Sequence, residues 1–269
     1  MKHPLFIILF QILLLISTND IYSQSSKFIK YSTQMGLSSS DQRCITQDKE
    51  GFIWIGTEDG LNRFDGYTFK VYRKNPDDST SLQSNIISSL YVDSKGVLWI
   101  GTYAGGLSRY NKEKDDFYTY TTSINDTNAL LSNEITTITE DTYHRLWVGT
   151  YEHGLHLLDP EINGFKHFVT VQGSLQDSST VFNNSINIII TDNEILWIAY
   201  NNGVLTALNT SDMTFKHFRL FDVLSHQTAN FLVNSLVLDN NLIWISTWSR
   251  GIWIFDKLTG KCIPYMKEK

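Results

Sequence analysis

Two imidazoles three residues apart, His153 and His156, would hold a metal ion if their rings converged. The residues around them alternate as in a strand, where positions three apart face opposite ways, so the rings are expected to diverge. His167 and His217 each sit in Phe-Lys-His-Phe at one phase of a longer repetition, which reads as outer-strand repetition rather than a catalytic pair. The two cysteines, Cys44 and Cys262, stand at opposite ends of the chain. They are expected to be buried or half-buried thiols, with a disulfide as the alternative that an oxidising compartment allows. No Gly-x-Ser-x-Gly, His-Glu-x-x-His or phosphate-binding loop occurs. The chain is therefore read as a non-enzyme, with no catalytic residue, no metal ligand and no cofactor assigned.

Binding chemistry is easier to find. Glu58, Tyr103, Tyr151, Glu152, His153, Tyr200, Asn202, Trp248 and Arg250 fall in short connections that follow tryptophan-containing runs. Aromatic rings beside carboxylate, amide and guanidinium groups suit the apolar CH faces and the hydroxyls of sugars. Against this stands the plain alternative of a solvated rim that binds no small ligand.

The elements that would position these residues come from a repeat. Phe52-Ile-Trp-Ile-Gly-Thr57 returns as Val97-Leu-Trp-Ile-Gly-Thr102, Arg145-Leu-Trp-Val-Gly-Thr150, Ile195-Leu-Trp-Ile-Ala-Tyr200 and Leu242-Ile-Trp-Ile-Ser-Thr247. The tryptophans, Trp54, Trp99, Trp147, Trp197 and Trp244, are spaced by 45, 48, 50 and 47 residues. Repeats of this length with several short strands predict β-propeller blades. In the second unit, strand A is expected at 86–92, B at 97–102, C at 107–111 and D at 117–121, with tight turns between them. The predicted class is all-β, about five four-stranded blades over 28–75, 85–122, 134–170, 185–219 and 231–266, within a repeat region 24–269. One such sheet leaves both faces open, so blades must stack. The five repeated indoles are assigned to that stacking; each removes roughly 150–250 Å² from water, about 4–6 kcal/mol. Trp248 and Trp253 stand outside the repeat. The D-to-A connections, 75–85, 123–134, 171–185 and 221–233, are long, and in a propeller they share a face with the B-to-C connections. Variable loops on a rigid scaffold are where binding usually lives.

Charge and the first residues bound the setting. The net charge is -6, which disfavours binding to nucleic acid. Lys2 and His3 precede an apolar run over 5–16, too short to cross a bilayer comfortably. Residues 1–23 are read as a secretory signal peptide cleaved near Ser23 or Gln24, with an uncleaved anchor as the alternative and no later membrane span.

The unit Asp48-x-x-Gly51-x-x-Trp-Ile-Gly-Thr57 followed by Gly60-Leu-Asn-Arg-Phe-Asp65 resembles the two-component regulator propeller repeat. The opening, from Tyr31 through Gly36-Leu-Ser38 to Ile45-x-x-Asp48, is similar to the first blade of the periplasmic part of hybrid two-component sensors. Units four and five depart from the pattern, with Ala199 and Ser246 in place of the Gly, and unit three has His144 at the turn Gly. These changes are expected to alter local turns and not the blade plan. The resemblance implies a periplasmic sensor of polysaccharide fragments. In that family a β-sandwich, a membrane helix, a histidine kinase, a receiver and a DNA-binding output follow; none is recognised in this chain. The Asp48 turn also resembles the Asp box of sialidase-type propellers, but its spacing differs by one residue and no arginine cluster or Tyr–Glu nucleophile pair accompanies it.

Phe28-Ile-Lys-Tyr31 looks like an outer strand D left over, because unit five owns a strand D at 261–266. An incomplete part of a seven-bladed ring is therefore expected, with a closed five-bladed ring as the alternative. Expected partners are an oligosaccharide and either a homodimer mate or further blades downstream. A protein-interaction scaffold is the second functional reading, and a propeller glycan lyase or hydrolase the third.

Overall fold

A computed structural model describes residues 28–171, 173–222, 227–228 and 232–265, so the leader read over 1–23 lies outside the described residues. The chain divides into 1–31 and Ser32–Lys269, and all the sheets lie in the second part.

Blade one is β1 (Gln42–Gln47), β2 (Ile53–Thr57), β3 (Gly60–Phe64) and β4 (Phe69–Tyr72). Blade two is β5 (Ile87–Val92), β6 (Leu98–Thr102), β7 (Leu107–Asn111) and β8 (Asp116–Tyr120). Blade three is β9 (Ile135–Glu140), β10 (Leu146–Thr150), β11 (Leu155–Asp159) and β12 (Gly164–Phe168). Blade four is β13 (Ile186–Asp192), β14 (Ile195–Tyr200), β15 (Val204–Asn209) and β16 (Thr214–Arg219). A two-stranded hairpin, β17 (Phe221–Asp222) and β18 (Gln227–Thr228), lies in the connection to blade five. Blade five is β19 (Val233–Asp239), β20 (Leu242–Thr247), β21 (Ile252–Asp256) and β22 (Cys262–Pro264). Each blade is an antiparallel meander in chain order, and the bounds in blade two fall within one residue of those expected. Of the outer strand expected at 261–266, residue 266 lies outside the described residues.

The core sits between blades. Trp54, Leu61 and Tyr72 of blade one cluster with Leu82, Ile87, Leu98, Ile100 and Phe117. Trp99 and Leu107 meet Leu130, Ile135, Val148 and Phe165 in the same way, and Trp147 and Trp197 anchor the next two clusters. The first four repeated tryptophans are thus buried, as stacking requires. Trp244 is only half-buried, because among the described residues no sheet covers its face of blade five. Blade five shares no core cluster with blade one among the described residues, so the closed five-bladed ring is not formed.

Two expectations are corrected. Phe28–Tyr31 is not a strand D; Phe28 and Ile29 are exposed, and blade one owns its fourth strand, β4. A strand needs a neighbouring edge, and this segment has no ladder among the described residues. The Gly of Trp-x-Gly-Thr is not a turn residue. A Cβ at Gly56, Gly101 or Gly149 would come within 2.7 Å of Ile87, Ile135 or Ile186 on the inner strand of the next blade. The glycine thus sets blade-to-blade clearance. In the fourth interface Ala199 faces a cluster holding Val233 where the others have Ile, so a methyl gained on one side is matched by a methyl lost on the other. At the true turn position, His144 takes the left-handed conformation (φ 60°) that Gly51 and Gly96 take elsewhere.

Candidate functional site

The expected binding face is built by a hydrogen-bond pattern that recurs from blade to blade. Thr57, Thr102, Thr150 and Thr247 end the second strands, and each hydroxyl donates at 2.9 Å to a glycine carbonyl across the loop: Gly60, Gly106, Gly154 and Gly251. The next backbone N–H, of Glu58, Tyr103, Tyr151 or Trp248, donates to a carbonyl at the entry to the first strand, on Asp41, Ile86, Glu134 or Leu232 (3.0–3.2 Å). This places the B-to-C and D-to-A connections on one face, as the loop lengths suggested, and aims the side chain after the threonine outward. Tyr103, Tyr151 and Trp248 are 53%, 45% and 78% exposed at this phase, a row of aromatic rings along the rim.

Charge gathers around the middle of the row. Glu152, in the left-handed conformation (φ 65°), raises the pKa of the Tyr151 phenol by its charge and by a hydrogen bond, with smaller effects from Glu134 and Tyr103. The phenol therefore stays a neutral donor. His153 is exposed, with Nδ1 at 3.2 Å from the Tyr151 carbonyl, where it ties the turn. At the blade-one end, the Glu58 carboxylate is engaged by Arg43 at 2.6 Å. Arg250 is exposed while its backbone is held: its N–H donates to Thr247 Oγ1 and its carbonyl accepts from Trp253 Nε1. Asn202 is half-buried, with its Oδ1 enclosed and without a hydrogen-bond partner among the described residues.

Tyr200 departs from the expectation. It is fully buried in the blade-three to blade-four core, and its hydroxyl accepts from the N–H of Phe182 at 3.2 Å. Its alignment with Thr57, Thr102 and Thr150, all buried, was the available signal. The structure thus brings Tyr103, Tyr151, Glu152, His153, Trp248 and Arg250 to open loop positions and leaves Tyr200 in the core.

His156 turns inward, away from His153, and no group of three or more potential metal ligands occurs among the described residues. Its Nε2 accepts from Leu131 N–H at 3.3 Å, and its ring stands 4.9 Å from that of His167, its cross-strand partner. In blade four the same register holds Thr206 Oγ1 and His217 Nδ1 at 2.7 Å. Both cysteines are free, with thiols pushed up to about 12 by burial.

Sequence reasoning missed how the long D-to-A connections are organised. The carbonyls of Thr80, Asn128 and Ser178 accept from Phe117, Phe165 and Phe215 N–H, so each connection covers the outer edge of the following blade. Leu82, Leu130 and Val181 plug the core beneath, and Leu37 ahead of blade one is also buried. Asn85, Asn133 and Asn184 close each loop by accepting from Lys74, Thr122 and Thr170 N–H. The recurring Leu/Val-x-x-Asn at constant phase was the signal for this.

Three segments, 36–59, 81–104 and 129–152, match the two component regulator propeller family. A 65-residue stretch, 23% of the chain, is 51% identical to Histidine kinase P4 of Formosa agariphila. The extracellular domain of a B. thetaiotaomicron protein described as a hybrid two component system is 28% identical over 90% of this chain, with a TM-score of 0.63. A second extracellular domain from that organism, described as a one component system, is 25% identical over 84%, with a TM-score of 0.64. This chain spans 5% of the curated relative and 36% and 29% of the two solved domains.

Proposed function

We propose that the chain, three segments of which match two component regulator propeller repeats and which is similar to the extracellular domain of a hybrid two component system, is a periplasmic sensory module. Its rim, centred on Tyr151 and Trp248, recognises polysaccharide fragments. The leader read over 1–23 carries it across the inner membrane, and the module itself performs no catalysis. The observation behind the rim assignment is the row of exposed rings at Tyr103, Tyr151 and Trp248, each on a residue whose backbone N–H donates across the loop. Rigid aromatic rings beside Glu152 and Arg250 would stack on sugar CH faces while the charged groups take hydroxyls.

The test is binding of a panel of oligosaccharides to residues 24–269, by calorimetry, followed by Tyr151→Ala and Trp248→Ala. Each substitution is expected to weaken a verified ligand at least tenfold, about 1.4 kcal/mol. Unchanged affinity in both variants overturns the assignment of this face.

A second reading, a protein-interaction scaffold, draws on blade five. Val237, Ile252 and Ile263 are about half exposed there, and such apolar surface favours association with a further blade, a second copy or another protein. Sizing of the purified chain separates the readings. A monomer that binds glycans favours the sensor, and a stable oligomer without glycan affinity favours the scaffold.

A further inference from the structure

A cleft of about 680 Å³ opens between blades one and two, lined by the A-to-B turns of both, the C-to-D turn of blade two and Thr80 of the connection between them, and by none of the rim residues named above. Six cationic and four acidic residues line it, in a chain whose net charge is -6. Two of the acids are already committed. Asp48 holds the Trp54 indole at 2.6 Å, and Glu50 pairs with Lys112 at 2.9 Å. The remaining balance is cationic.

The repeat makes the arginines in this cleft stand out. Arg63 lies opposite Trp54 in the ladder and Arg109 opposite Trp99. At the same register the other blades carry Leu157, Ala207 and Ile254, so stacking does not require a cation there. Arg63 is fixed in place. Its guanidinium lies 4.8 Å over the Phe52 ring, and Nη1 donates to Tyr110 Oη at 3.0 Å. Its contact with Asp115 is long, 3.9 Å, and that carboxylate is occupied by Lys70, Tyr72 and Tyr110. A guanidinium has five donors, and one protein hydrogen bond uses one of them. Arg109 lies over Tyr118 at 5.6 Å and forms no ion pair among the described residues.

We propose that this cleft is a second binding site, which takes the acid group of a charged sugar, a carboxylate or a sulfate, with Arg63 as the anchor and Arg109 as the second cation. An oriented guanidinium with free donors matches the two oxygens of such a group, which a lysine on a flexible stem does not. The anion part of this assignment stands on the cleft alone, and the sugar part rests on the polysaccharide reading above.

The test titrates the full chain with three oligosaccharides of equal length: an oligogalacturonate, a sulfated oligomer and an uncharged one. Arg63→Gln, Arg109→Gln and Tyr151→Ala are compared with the parent, and Arg63→Lys keeps the charge should Arg63→Gln not fold. At least one acidic oligomer is expected to bind ten times more tightly than the neutral one and to weaken as salt rises. Arg63→Gln, or Arg63→Lys in its place, should lower that affinity tenfold, and Arg109→Gln should lower it less. Tyr151→Ala, which removes a rim ring, should not reduce the preference for the acidic over the neutral oligomer. Equal binding of acidic and neutral oligomers, binding indifferent to both arginines, or no binding of either acid overturns the proposal. Loss of neutral-oligomer binding in Tyr151→Ala reports on the rim and not on the cleft.

Discussion

The Oδ2 oxygen of Asp141 accepts the indole N–H of Trp147 at 2.8 Å, and both side chains are buried. The other oxygen accepts from the N–H groups of Tyr143 and Arg145, and Arg145 Nε reaches Oδ2 at 2.7 Å. One carboxylate thus closes the A-to-B turn and orients the tryptophan that the next blade packs against. Asp48 and Trp54 (2.6 Å) and Asp93 and Trp99 (2.9 Å) repeat the bond. In blades four and five the turn is one residue shorter, and Asp192 and Asp239 reach Trp197 and Trp244 only at 3.3 Å.

Asp141→Ala leaves the buried indole N–H and two backbone N–H groups without their acceptor, and leaves the Arg145 guanidinium with the Thr210 carbonyl. The expected loss is about 3 kcal/mol in urea unfolding followed by tryptophan fluorescence. Asp239→Ala removes a longer bond at a half-exposed position and should cost under about 1 kcal/mol. Similar losses for the two would show that burial does not set the strength of this bond.

His156 carries a pH dependence. Burial, and then the neighbouring His167, hold its pKa down at about 3, against about 6.5 for an exposed imidazole. Between those values the unfolded chain binds the additional proton, so stability rises with pH across the window and is lost as pH falls below 6.5. One group gives a slope of at most ~1.4 kcal/mol per pH unit. Urea midpoints from pH 7 to pH 4.5 should fall more steeply for the parent than for His156→Gln, and parallel curves would remove His156 as the cause.

Leu130, 2% exposed, plugs the blade-two to blade-three core from the D-to-A connection, while its neighbour Leu131 is 39% exposed. Leu130→Ala should cost about 2–4 kcal/mol and Leu131→Ala about 0.5 or less, measured by the same unfolding. Equal, small effects would mean that the connection is not part of the core.

Much of the fold was legible because two short-range rules suffice for it. Alternation marks strands, and tight turns join them into meanders, so 107–111 was placed to the residue as β7. The constant phase of the tryptophans disclosed the stacking. The rim was legible in outline, since residues after the Trp-x-Gly-Thr run fall at loop positions. Tyr200 was misplaced because strand chemistry alone does not say whether a large ring at a threonine position swings outward or fills the gap to the next blade.

The sequence by itself determined the number of blades, their strand order and the turn that carries each Asp–Trp pair, because these depend on residues within one unit. The tertiary structure decided what lies between units: the clearance at Gly56, the edge covered by Thr80, the half-buried position of Trp244 and the cleft that gathers Arg63 and Arg109. Such contacts join residues some 45 positions apart, where no local pattern constrains the pair and only the packing of one sheet on the next brings them together.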